Sequence, residues 1–207
     1  MRYVWTDAGD DPDVTHGDTF GINGYFMPMF DSVTTKAYLR DEIAAKGHAV
    51  GIYIGHGWPQ YVGKTPAQIA AVVSAEYARL FVPGLKVQFN LEEHDPEFVA
   101  SVLEEWRKLR PVTNTSWTME GMQGGWMGPV TTFVDPSHFV QRILECRVRL
   151  CPQCFIGNMA RRESDVVLRD LTRRGFPEHI ISPFYDAANL GVGWDGFAFT
   201  FGRLPRP

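Results

Sequence analysis

"KVQFNLEEHDPEFVASVLEEWRKLRPVTNTSWT", residues 86–118, decides the fold. Its first run, "KVQFNLE", is short and mostly apolar, the pattern of a strand with a helix on one side and core on the other. Asp95 and Pro96 then start a helix, since proline at the first helical position lacks only an N–H that would have no partner there. Phe98, Val99, Val102, Leu103, Trp106 and Leu109 recur at helical spacing and predict one buried stripe. "PVTNTSWTM" (111–119) follows as a second strand. Strand, helix and strand make a βαβ unit, whose strands run parallel through a right-handed crossover.

The same punctuation recurs along the chain. "TPAQIAAVVSAEYARLF" (65–81) has Thr65 as N-cap and Pro66 at the first helical position, with Ile69, Val72, Val73, Leu80 and Phe81 at helical spacing. "DPSHFVQRILECRV" repeats the Asp-Pro start at Asp135. "TKAYLRDEIAAKG" stops at Gly47 and "SDVVLRDLTRRG" at Gly175, both as C-terminal caps. The remaining strand-like runs are "RYVW", "YFMPMF", "AVGIYIG", "RLCPQCFIG", "HIISPFY" and "GFAFTFG", which bring the strands to eight. Strands alternating with helices predict an α/β chain whose parallel sheet closes into a compact (β/α)8 TIM barrel, a single domain over residues 1–207. The alternative, an open doubly wound sheet, would carry a stronger phosphate fingerprint.

Composition narrows the function. With 44% hydrophobic and 21% charged residues the chain is an ordinary globular one. A formal net charge of -4 offers no general attraction to nucleic acid, and no segment approaches the ~20 apolar residues that cross a bilayer. Arg161, Arg162, Arg169, Arg173 and Arg174 share one predicted helix and read as a solvated face. "MRYVWTDAGDDPD" lacks the basic start and apolar stretch of a secretory signal, so the expectation is synthesis in a reducing cytoplasm. The three cysteines make no disulfide framework. Cys151-Pro152-Gln153-Cys154 has the spacing of half a zinc site, but no second pair follows. Buried free thiols are expected there, and no metal or cofactor. Gly55-His56-Gly57 lacks the rest of a phosphate loop.

In a parallel barrel, side chains from several strands converge at the C-terminal ends, where chemistry gathers. Glu92 and Glu93 fall where strand 4 emerges, and the same rule collects Asp7, Asp31, His56, Glu120, Asn158 and Asp186. Trp58, Trp117, Trp126 and Trp194 fall on or near that rim. Carboxylates beside aromatic faces are what glycoside chemistry uses: one acid protonates the glycosidic oxygen, another carboxylate attacks or stabilises the anomeric carbon. Each feature has a plainer reading beside it. Asp95 serves as a helix cap, His94 as a loop residue, and tryptophans pack in cores. Only one of Glu92 and Glu93 faces the mouth if the backbone stays extended. The segment "EGMQGGWMGPVTTFVD" (120–135) is expected to overhang the mouth and carry Trp126 toward Glu92.

"AVGIYIGHGWP", the helix after it and residues 86–118 together resemble the middle of a family 25 muramidase barrel and of related bacteriophage glycosidase-like domains. In that family strand 4 ends in Asp-x-Glu, whose Glu is the proton donor. The triplet here is Asn90-Leu91-Glu92. The resemblance therefore gives Glu92 the acid role, with Asp186, Glu120 or Glu93 opposing it and the strand-1 aspartate near Asp7. It implies a cell-wall polysaccharide or peptidoglycan as ligand, with Asn90, His56, Asp31 and the rim tryptophans as contacts. Asn90 departs from the pattern, because an amide is neither base nor nucleophile. The rival expectation is a structural or adhesive phage tail protein, at work in the virion beside other tail proteins, that keeps the barrel without the chemistry.

Overall fold

The computed structural model describes residues 3–5, 22–28, 40–54, 61–91, 96–119, 136–152, 168–182, 184–186 and 197–199. Eight strands appear: β1 (Tyr3–Trp5), β2 (Gly24–Pro28), β3 (Ala49–Ile54), β4 (Lys86–Phe89), β5 (Asn114–Met119), β6 (Val148–Pro152), β7 (Phe184–Asp186) and β8 (Phe197–Phe199). All neighbours pair in parallel, in the order β6-β5-β4-β3-β2-β1-β8-β7. That order is the chain order of a ring cut between β6 and β7. A bridge from Leu150 to Ile181 spans the cut, with the Ser182 N–H donating to the Leu150 carbonyl at 2.7 Å. The expected α/β barrel is the observed architecture.

Helices α1 (Pro66–Arg79), α2 (Pro96–Leu109) and α3 (Pro136–Glu145) cover the outside, with further helical residues at 40–45 and 168–173. Thr65 begins α1 with a reciprocal capping box: Gln68 N–H donates to Thr65 Oγ1 at 3.3 Å, and Thr65 N–H to Gln68 Oε1 at 2.9 Å. The outward faces of the strands carry Val50, Ile52, Val87, Phe89, Trp117 and Leu150 into one core with Val73, Val99, Trp106 and Phe139 of the helices. Trp106 is its hub. It is fully buried, lies edge-on to Phe89 at 5.6 Å and Tyr77 at 5.9 Å, and donates its indole N–H to Thr115 Oγ1 at 2.9 Å.

Two stripe residues leave the core. Phe81 is 55% and Leu109 48% exposed. Leu80 is already the C-cap of α1, so Phe81 lies past the helix and its spacing no longer sets its direction. Leu109 is the last residue of α2. The run "HIISPFY" also differs from a continuous strand: Glu178–Ile180 form a 3-10 turn and β7 begins only at Phe184.

Helix ends reuse one device. Gly47 (φ 77°) and Gly175 (φ 103°) take the left-handed position after their helices, each donating back to the carbonyl three residues earlier at 3.0 Å. After α3 the same position is filled by Arg147 (φ 52°), which donates to Leu144 at 3.0 Å. A side chain there costs about 1 kcal/mol that glycine does not. Arg107 of α2 braces this turn, donating to the carbonyls of Cys146, Arg147 (2.9 Å), Arg110 (3.2 Å) and Thr113 (2.6 Å). No lysine could reach all four, because only guanidinium spreads its donors as a planar fork.

Candidate functional site

Alternation along the strands sends every second residue into the bore of the barrel. On β4, Val87 and Phe89 face the helices, so Gln88 faces the bore. Asn90, which is next in that row, is also buried. On β5 the inward residues are Ser116 and Thr118, and on β6 Cys151. Gln88 and Ser116 both lie close enough to the Cys151 thiol to act on its acidity, which places the three side chains on one face of three adjacent strands. Burial pushes that thiol up to about 12, so it stays protonated. Thr118 Oγ1 is fully buried and has no hydrogen-bond partner among the described residues.

The other side of the bore is aromatic. Tyr3 meets Phe26 edge-on at 5.5 Å. Glycine makes room for each ring: an added Cβ at Gly24 would lie 2.5 Å from Tyr3, and one at Gly51 2.5 Å from Phe26. The bore is thus filled by rings on β1 and β2 and by hydrogen-bonding side chains on β4 to β6.

Asn90 continues the polar row at the C-terminal end of β4, where its backbone N–H donates to the Ile54 carbonyl at 2.8 Å. Asp186 is the last residue of β7, in register with Phe199. Both therefore stand at the C-terminal ends of their strands. Trp117 does not. It is 4% exposed, points to the helix layer and packs edge-on against Phe139 at 6.2 Å. Its position on β5 has the parity of Thr115, outward, so it belongs to the core and not to a sugar platform. Glu92, Glu93, Glu120, Asp7, Asp31, His56, Trp58, Trp126, Trp194 and Asn158 lie outside the described residues, as do Cys154 and the 120–135 segment. Cys151 and Cys146 are buried free thiols.

The sequence reading missed Gln88, Ser116 and Thr118. Gln88 was signalled as a polar residue between Val87 and Phe89, whereas β5 is polar on both faces and only register separates inward Ser116 and Thr118 from outward Thr115. It also missed the cations at the opposite end of the barrel, Lys86, Arg147 and Arg149.

No protein-family model and no curated protein sequence matches the chain. Solved structures do match its fold. A D-psicose 3-epimerase crystallised in the presence of D-fructose aligns over 97% of this chain and 84% of its own, with TM-score 0.54 and 9% identity. A 3-keto-D-glucoside 4-epimerase from E. coli aligns over 99% and 92%, with TM-score 0.52 and 12% identity. A 2,3-dimethylmalate lyase of the PEP mutase/isocitrate lyase superfamily aligns over 96% and 75%, with TM-score 0.54 and 10% identity. At these identities the likeness is one of fold. Among the described residues no helix is long and apolar enough to cross a membrane.

Proposed function

We propose that the C-terminal mouth of this barrel binds a carbohydrate and that Glu92 acts there as general acid on a polysaccharide such as peptidoglycan. One observation carries the reading: Gln88 and Asn90 form an inward polar row on β4, and Glu92 is the next residue of that parity in the sequence. Thr118, with its hydroxyl unpartnered among the described residues, adds a second polar group on the adjacent strand. Asp186 at the end of β7 supplies the opposing carboxylate. Two barrels of the same fold act on sugars, which favours a glycan, although the lyase of that fold does not share this by its name.

Asn90 favours a second reading. Standing where the resemblance implies an aspartate, it can hold a sugar hydroxyl but cannot attack or deprotonate. The chain then binds glycan without cleaving it, as an adhesive or structural component of a virion tail would. Release of reducing ends from peptidoglycan by the wild type, lost roughly a hundredfold or more in Glu92→Gln, supports the acid role. Glycan binding without turnover in both proteins supports the second reading. Equal turnover in both removes Glu92 from the mechanism.

A further inference from the structure

The cut in the barrel ring leaves a gap. Residues 178–180 wind into a 3-10 turn, and on that side no described residue pairs with Val148 or Arg149, the first residues of β6. The space is a cavity of about 470 Å³ at the N-terminal face, lined by Asn114, Arg147, Arg149, Pro177, His179 and Ile180 among others. This is the opposite end of the barrel from Asn90 and Asp186.

Its chemistry is cationic. Arg147, Arg149 and His179 line it, no carboxylate does, and none of the three forms an ion pair with a described residue. Arg149 spends one donor on Ser182 Oγ at 2.7 Å, which leaves most of its guanidinium to the cavity. Lys86, half-buried over the Tyr3 ring at 5.3 Å, adds a further positive charge whose acidity is raised by burial and by Arg149. In a chain of net charge -4, such a cluster is not the product of general composition.

The backbone of Arg147 is a second, independent observation. It holds the left-handed position that Gly47 and Gly175 occupy after their helices. An arginine stands at a position where glycine suits the backbone better, in the one of these three turns that lines the cavity. Arg107 fixes that turn from behind through the Cys146 and Arg147 carbonyls, so the Arg147 side chain projects from a braced support.

We propose that this gap is a binding site for a small soluble phosphate-bearing molecule, gripped by Arg147 and Arg149 with Asn114 and His179 as further donors. Guanidinium forks suit phosphate oxygens, and the volume falls within the ~300–1,000 Å³ of small-molecule sites. A molecule held there touches β6 on one side and residues 177–180 on the other.

Calorimetric titration with inorganic pyrophosphate at fixed ionic strength tests this. The wild type is expected to bind saturably with one site, and Arg149→Gln to bind at least roughly tenfold more weakly. Arg147→Gly is the decisive variant, since glycine fits the backbone. It should lose affinity to a similar degree while its melting temperature stays equal or rises. No saturable binding by the wild type, or wild-type affinity in a folded Arg147→Gly protein, overturns the proposal.

Discussion

The two faces of β4, β5 and β6 solve opposite problems. Outward, Val87, Phe89, Trp117 and Leu150 pack against the helices; the Trp106 indole N–H is spent on Thr115, while the Trp117 indole N–H has no partner among the described residues. Inward, Gln88, Ser116, Thr118 and Cys151 put hydrogen-bonding groups where a barrel built for stability alone would place branched apolar chains. Buried polar groups cost stability unless satisfied, whereas packed aromatics contribute to it. The outer face therefore carries the fold, and the inner face carries groups whose purpose lies elsewhere.

Removing the outer hub is the largest expected break. Trp106→Ala should lower unfolding stability by about 3–5 kcal/mol, since it opens a cavity and strips a partner from Thr115. Urea denaturation measures it, and a loss under about 1 kcal/mol would mean that the outer face is not the stabilising one. On the inner face the sharpest test is steric. Gly51→Ala drives a methyl into the Phe26 ring and should cost about 1–3 kcal/mol, much of it recovered when Phe26→Leu is added. Additive losses in the double mutant would show that the two residues do not share the bore.

Thr118→Val should act in the other direction. Replacing a buried hydroxyl that has no described partner is expected to stabilise the protein by about 1 kcal/mol while weakening glycan binding, a pairing readable by melting temperature and by binding isotherm. Destabilisation would assign the hydroxyl a structural bond. The smallest effect lies outside both faces. Arg142 of α3 grips Glu104 of α2 at 2.5 and 2.9 Å, and this hydrogen bonding holds the Glu104 carboxyl below its ordinary range. A carboxylate depressed in the folded state stabilises above its unfolded value of about 4.3 and loses that contribution as pH falls through the folded value. Glu104 is more than a third exposed, so Glu104→Gln should cost only about 0.5 kcal/mol at pH 7, and the difference from wild type should shrink as pH falls below the unfolded value and through the lowered folded one.

Much of the fold was legible because its signals are local. The Thr65 cap, the Asp-Pro starts and the glycines at 47 and 175 each fix a helix end by the chemistry of one or two residues. Strand existence was legible from apolar runs, and closure from their number. The errors come where position outruns pattern. Phe81 kept the helical spacing beyond the C-cap, and Trp117 was placed by its distance from the strand end when its parity sent it outward. Of the proposed site, Asn90 and Asp186 are described, each at the C-terminal end of its strand, and most other members lie outside the described residues. The interior row of Gln88, Ser116 and Thr118 was overlooked because polar residues inside an apolar run read as noise until register shows them aligned. Arg147 was invisible for another reason: only the backbone φ reveals an arginine in a glycine's place.

Among the described residues seven ladders join the strands, and at the eighth junction the one described bridge is Leu150 to Ile181. Among those residues the junction is the slit of a split collar. Strain that widens or narrows the bore meets its fewest described bonds at the slit and leaves the spacing of β1 to β6 nearly unchanged. The Ser182 amide, which bonds to Leu150 across that slit, becomes the gauge of the motion, and deuterium should enter there sooner than at the amides joining β3 to β4.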